Sequence, residues 1–125
     1  MQTTVFCRTK VEGVHCYPHA PEEVAHLRNP HRHMFGIEVE MDVFDDDREV
    51  EFIVLKHRVE KWLKVHLDAD GVWQLHTMSC EQIGKEIVNY LEGIYCVGQQ
   101  RQIIVTVDED GENGAVVYGD FVNEN

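Results

Sequence analysis

The segment His33-Met34-Phe35-Gly36-Ile37-Glu38-Val39-Glu40-Met41-Asp42-Val43 decides the fold. Phe35, Ile37, Val39, Met41 and Val43 alternate with Gly36, Glu38, Glu40 and Asp42. A period of two buries one face and wets the other, so the segment reads as a strand of an antiparallel sheet. Downstream, Asp45-Asp46-Asp47 reads as a turn, and Glu49 to Phe52 as a short strand pairing back. The period then changes. Leu55, Val59, Trp62 or Leu63, and His66 share one helical face, and Gly71 ends that region. Ser79 with Gln82 three residues on predicts a capping box, in which each side chain covers the other's exposed backbone N–H. Ile83, Ile87, Leu91 and Ile94 continue that second helix. Gln102 to Asp108 reads as a strand, Asp110-Gly111 as a turn, and Ala115 to Val122 as the returning strand.

Upstream of the deciding segment, Gln2 to about Val11 reads as a strand with Val5 and Phe6 as apolar points. Gly13 to Asn29, with Pro18 and Pro21, reads as a loop in which Glu22-Glu23-Val24-Ala25 can form one helical turn. The order is ββ(β)ααββ, an α+β fold with two helices between antiparallel hairpins. At 125 residues, residues 1–125 are expected to form a single domain with one core.

Eleven basic against 23 acidic residues give a net charge of −12. That argues against a sequence-independent grip on nucleic acid or on an anionic membrane, both of which need a basic face. No apolar run reaches the ~18–20 residues of a membrane span, and the polar start Met1-Gln2-Thr3-Thr4 has no signal-peptide core, so a cytoplasmic protein is expected. Cys7, Cys16, Cys80 and Cys96 show no CxxC spacing and read as reduced thiols. Cys7 and Cys96 read as small buried side chains, whereas a reactive role for Cys16 or Cys80 would need an electropositive setting.

Histidine is the unusual feature: of eight, five lie between His15 and His33. His31 and His33 sit two apart on the predicted strand, so their rings point to one side and can converge. His15, after the first strand, is the best third ligand. Three histidines with a fourth position open is how proteins hold a catalytic Zn²⁺, and neutral imidazole also suits Ni, Cu or Fe. Zn²⁺ is the expected ion. His19, His26, His57, His66 and His76, taken singly, read as surface or satisfied core residues.

The residues then resemble a known family, 6-pyruvoyl-tetrahydropterin synthase and its relative 6-carboxy-tetrahydropterin synthase of the queuosine pathway. The likeness runs from Phe6 to Gly119. Phe6 to His15, then Pro18-His19, resembles the first strand and its zinc histidine. Pro30-His31-Arg32-His33-Met34-Phe35 resembles the HGH motif followed by an aromatic. Val50-Glu51-Phe52-Ile53-Val54-Leu55-Lys56 is similar to the V-x-D-F-x-x-L-K opening of the first helix. Met78-Ser79-Cys80-Glu81-Gln82 resembles the P-T-x-E-N start of the second. Val107-Asp108-Glu109 with Tyr118-Gly119 resembles the closing hairpin, whose glutamate anchors the pterin ring.

The resemblance implies the tunnelling fold (ββααββ), an antiparallel sheet with two helices packed on one face. It implies a homo-oligomer, a hexamer of two trimers with ligand sites between subunits. It also implies zinc on His15, His31 and His33, and a pterin or purine-like ligand on Glu109. The sequence departs from the pattern at the family's catalytic cysteine, where Leu27 stands beside His26. The family's L-D-H relay is matched by Leu67-Asp68-Ala69, which keeps the aspartate and loses the histidine, with His66 and His76 nearby but off register. Arg32 replaces the glycine of HGH.

Three functions follow. One is a zinc-dependent pterin lyase or synthase acting on 7,8-dihydroneopterin triphosphate or a related pterin, with Asp68, His66, His76 or His26 as the catalytic relay. The second is a zinc-containing pterin- or purine-binding homologue without turnover. The third is a related enzyme of the same fold. GTP cyclohydrolase fits poorly because its zinc site uses cysteines, and urate oxidase because it is longer and metal-free. The net charge of −12 disfavours a triphosphate unless Arg28, Arg32 or lysines of a neighbouring subunit line the site. The first reading is the expectation.

Overall fold

The computed structural model describes residues 1–68 and 70–120. Five strands form one sheet: β1 (Thr3–His15), β2 (His31–Val43), β3 (Trp73–His76), β4 (Ile103–Glu109) and β5 (Asn113–Tyr118). Their order across the sheet is β3-β1-β2-β4-β5. The segment that decides the fold is therefore the central strand, antiparallel to β1 on one side and to β4 on the other. Phe35, Ile37, Val39 and Met41 are fully or almost fully buried, as the alternation predicts. Helices α1 (Phe52–Val65) and α2 (Cys80–Tyr95) cover that one face. Leu55, Val59 and Leu63 of α1 and Ile83, Ile87 and Leu91 of α2 meet the sheet in a common core with Ile103, Val105 and Val107 of β4. No helix among the described residues is long and apolar enough to cross a membrane.

The capping box at Ser79 is present in full, with Ser79 Oγ accepting from the Gln82 N–H and Gln82 Oε1 from the Ser79 N–H. It fixes where α2 begins, directly beside the end of β1. The Asp110-Gly111 turn also forms, both residues taking positive φ (58° and 74°), which Asp and Gly tolerate best.

Four expectations change. β1 runs to His15, past Val11, because pairing with β2 continues to the His15–His31 pair. Gly13 permits this: a Cβ there would lie 2.8 Å from the Phe35 ring. Glu49 to Phe52 is not a strand. The Glu49 carboxylate accepts the Phe44 and Asp45 N–H groups and closes the acidic turn, and Glu51 caps α1 by accepting the Val54 N–H. β3 was not expected, since four residues are too short to show a period. It runs parallel to β1, so the sheet is mostly rather than wholly antiparallel. The region of Glu22-Glu23-Val24-Ala25 is a 3-10 segment, Glu22–Arg28. The expected returning strand is β5. Its predicted end at Val122, and Ala69 of Leu67-Asp68-Ala69, lie outside the described residues.

Candidate metal and ligand site

The last residue of β1 and the first turns of β2 put His15 and His31 directly opposite each other, with Gly13 opposite His33. All three rings lie on the helix-side face, in the row that continues as Phe35. Their centroids are 4.6 Å (His15–His31), 5.0 Å (His31–His33) and 5.6 Å (His15–His33) apart. The Phe35 ring forms an apolar floor, edge-on to His15 at 5.2 Å and to His33 at 5.9 Å. One ligand atom from each of the three lies within 4.8 Å of the others.

Each Nδ1 is tied to an acceptor: His15 to the Met78 carbonyl at 2.9 Å, His31 to the Asn29 carbonyl at 2.8 Å, and His33 to Asp110 Oδ2 at 2.7 Å. Carbonyl and carboxylate oxygens only accept, so these partners place a ring proton on Nδ1, and in the neutral ring Nε2 is then the lone pair. A hydrogen-bond acceptor on the far ring nitrogen is the usual support of a metal-binding histidine. The Nε2 atom of His33 is buried and has no hydrogen-bond partner. Three oriented, unprotonated imidazole nitrogens with one orphaned among them fit a divalent metal of the Zn²⁺ type.

Asp110 owes its role to the turn. Positive φ folds its carboxylate back onto the Met34 N–H and His33 Nδ1. The hydrogen bond to His33, then that from Met34, holds the Asp110 carboxyl below the usual aspartate range.

A cavity of about 510 Å³ opens beside the cluster, lined by His15, Cys16, Tyr17, Leu27, His31, the Thr77–Gln82 segment, Glu109 and the start of β5. Glu109 reaches the histidines themselves, with Oε2 3.1 Å from His33 Nε2 and Oε1 3.4 Å from His15 Nε2. The Cys80 thiol donates to Glu109 Oε1 at 3.7 Å. Burial, then the negative charge of Glu109, pushes that thiol up to about 12, so it stays protonated.

The four relay candidates do not line this cavity within one subunit. The Asp68 carboxylate is occupied, accepting from Gln74 Nε2 at 2.9 Å and from the Val72 and Asp70 N–H groups, and these bonds, Gln74 first, hold it below the usual range. The His66 ring stacks on Trp62 at 4.2 Å and bonds the Trp62 carbonyl through Nδ1. His76 ends β3 beside His15, its carbonyl accepting the Cys16 N–H, with its side chain exposed. His26 is exposed on the 3-10 segment next to Leu27.

Sequence reasoning missed Asp110 and the Met78 and Asn29 carbonyls, and weighed Cys80 only as a reactive thiol. Asp-Gly was read only as a turn, and backbone carbonyls leave no side-chain signal. Cys16 also lines the cavity, and the Tyr17 N–H bonds the Leu27 carbonyl at 2.7 Å, so a thiol stands across from the leucine position.

No protein-family model matches the chain, and no curated protein is significantly similar to it. Solved structures are similar. Two catalytic-residue mutants of Plasmodium vivax 6-pyruvoyltetrahydropterin synthase align with a TM-score of 0.68 at 16% identity, over 94% of this chain and 98% of theirs. The Plasmodium falciparum 6-pyruvoyl tetrahydropterin synthase aligns with a TM-score of 0.66 at 18% identity, over 97% of this chain and 99% of its own. At these identities the likeness is one of architecture: the chain has the α+β fold of 6-pyruvoyltetrahydropterin synthase.

Proposed function

We propose that the chain is a zinc-dependent pterin synthase-like enzyme acting on 7,8-dihydroneopterin triphosphate or a related pterin. The observation that carries this reading is the histidine cluster beside the cavity, one ligand atom from each of three imidazoles converging in a chain with a pterin synthase fold. His15, His31 and His33 would hold the ion. When bound, it supplies Lewis-acid polarisation of substrate oxygens, worth several kcal/mol of charge stabilisation.

The protein's own residues do the rest. At about 510 Å³ the cavity has the volume for a bicyclic ring, with the polar start of α2 and Glu109 at its walls. In this reading Glu109 accepts two N–H bonds from the amino-pyrimidinone edge, which fixes both position and angle. Proton transfer is completed across a subunit boundary, with Asp68 and His66 or His76 of a neighbouring copy, or with His26, beside the Cys16 thiol. The oligomer is a hexamer of two trimers. Light scattering should report about six times the 14.5 kDa chain mass, and a monomer at micromolar concentration would refute the shared site.

The test is direct. Zinc-loaded protein is incubated with 7,8-dihydroneopterin triphosphate and the products are read by mass spectrometry, with acetaldehyde assayed in parallel. Conversion that is lost in His31→Ala supports the reading. Ligand binding without turnover would assign the binding-protein function instead, and neither binding nor turnover would refute both.

A further inference from the structure

The Glu109 carboxylate reaches into the histidine cluster. Its oxygens lie 3.1 Å from His33 Nε2 and 3.4 Å from His15 Nε2. Nδ1 of each ring is tied to a fixed acceptor, Asp110 for His33 and the Met78 carbonyl for His15, so Nε2 is the atom each ring turns toward the carboxylate. His33 Nε2 is buried without a hydrogen-bond partner even with Glu109 Oε2 so close, so no N–H···O bond accounts for the approach. The Cys80 thiol reaches only Oε1, the oxygen nearer His15, and leaves Oε2 to His33 alone. A cation among these atoms would be a ligand partner for each of them.

We propose that Glu109 is the fourth ligand of the metal held by His15, His31 and His33 in the ligand-free protein. This rests on the reading that the cluster holds a metal, and it changes what Glu109 does. A carboxylate with one oxygen on the metal cannot offer both oxygens to a ring edge. An arriving ligand must first displace it, and only the released carboxylate can accept the ring's N–H groups. Ligand binding and opening of the fourth position are then one event. The position at the Phe35–Glu109 register pair is what permits this, since it places Glu109 on the same face of the sheet as His33. Three nitrogens and one carboxylate oxygen make an ordinary tetrahedral donor set.

Co²⁺ is the reporter, because its visible absorption depends on the number and type of ligands. It is titrated into metal-free wild type, Glu109→Gln, Glu109→Asp and His31→Ala, with circular dichroism confirming that each is folded. Wild type should bind one Co²⁺ with the intense bands of four-coordinate geometry. Glu109→Gln should bind at least 10–100-fold more weakly, the loss that even an outer-shell partner produces, and its bands should shift. Glu109→Asp should recover part of the affinity. Affinity within about threefold of wild type together with an unchanged spectrum in Glu109→Gln would overturn the proposal, while loss of Co²⁺ in His31→Ala would leave the histidine site standing. Failure of wild type to bind Co²⁺ would overturn both.

Discussion

At the His31 end of β2 and at its Asp42 end, the sheet buries polar side chains to a similar degree: His15 is 9% exposed, Arg101 3%. The two clusters differ in how donors and acceptors are matched. At the Asp42 end, the Arg101 guanidinium donates to the Asp42 carbonyl, to Glu49 Oε2 at 2.6 Å and to Gln99 Oε1, leaving only its Nε without a partner. Asp42 itself accepts from Gln2 and from the Gln102 N–H. Positive meets negative, and the cluster is closed. At the His31 end, the Glu109 carboxylate meets two of the three histidines, and His33 Nε2 stays buried without a hydrogen-bond partner. Burial alone does not separate a structural polar cluster from a functional one. The surplus of one kind of group does, because an unmatched set is completed only by something from outside.

In metal-free protein the largest expected effect is on stability at the Asp42 end. Arg101→Ala strands the half-buried Glu49 carboxylate and a buried carbonyl. It should cost about 3 kcal/mol, the low end for a broken buried pair, since Glu49 keeps about a quarter of its side chain in water. His31→Ala in metal-free protein should cost about 1 kcal/mol or less, as it removes one of the crowded acceptors. Urea denaturation in chelator measures both, and equal costs would break the comparison.

Adding metal should reverse the ranking. Free Zn²⁺ at a thousandfold above its Kd should stabilise wild type and Arg101→Ala alike by about 4 kcal/mol. His31→Ala should gain nothing. An equal gain in all three would place the ion elsewhere.

Asp110→Asn sharpens the boundary of the histidine end. The side chain keeps an acceptor for His33 Nδ1 but loses the charge that makes the ring a better donor to metal. Zn²⁺ affinity should fall about 10–100-fold by competition with a chelator of known affinity. No change would confine the site to the residues that touch the ion.

The smallest effect is that of acid on the Asp42 end. Burial alone would raise the Glu49 carboxyl, but bonds from the Phe44 N–H and the Arg101 guanidinium overcome it and hold Glu49 below the usual glutamate range. A depressed folded value means that the stabilisation is complete above the unfolded value near 4.3 and is lost as pH falls through the folded one. Wild type should therefore exceed Glu49→Gln in denaturation midpoint at pH 7 and pH 5. The gap should close below about pH 4. A constant gap would remove the charge from the account of this cluster.

Much of the fold was legible because β2 is long and strictly alternating, and because Ser79 and Gln82 mark a helix start with two side chains. β3 was not, since Trp73 and Leu75 are two buried residues after a glycine turn and show no period. Glu51 misled because a capping carboxylate looks like the polar member of a strand until its Val54 N–H partner is seen. At the site, the His31–His33 spacing could be read directly, while the approach of His15 depends on a pairing 16 residues distant in sequence. The tethers on Nδ1 could not be read, two being backbone carbonyls. Nor could the contact of Glu109 with the histidines, which arises from the β2–β4 register.

Metal content tests the central claim most directly. Wild type purified without chelator, and wild type dialysed against micromolar Zn²⁺, are analysed for metal beside His15→Ala, His31→Ala and His33→Ala. The account predicts about one Zn²⁺ per chain in wild type, and loss of most of it in each variant with the fold intact. A wild type without bound metal, or undiminished zinc in the variants, would contradict it.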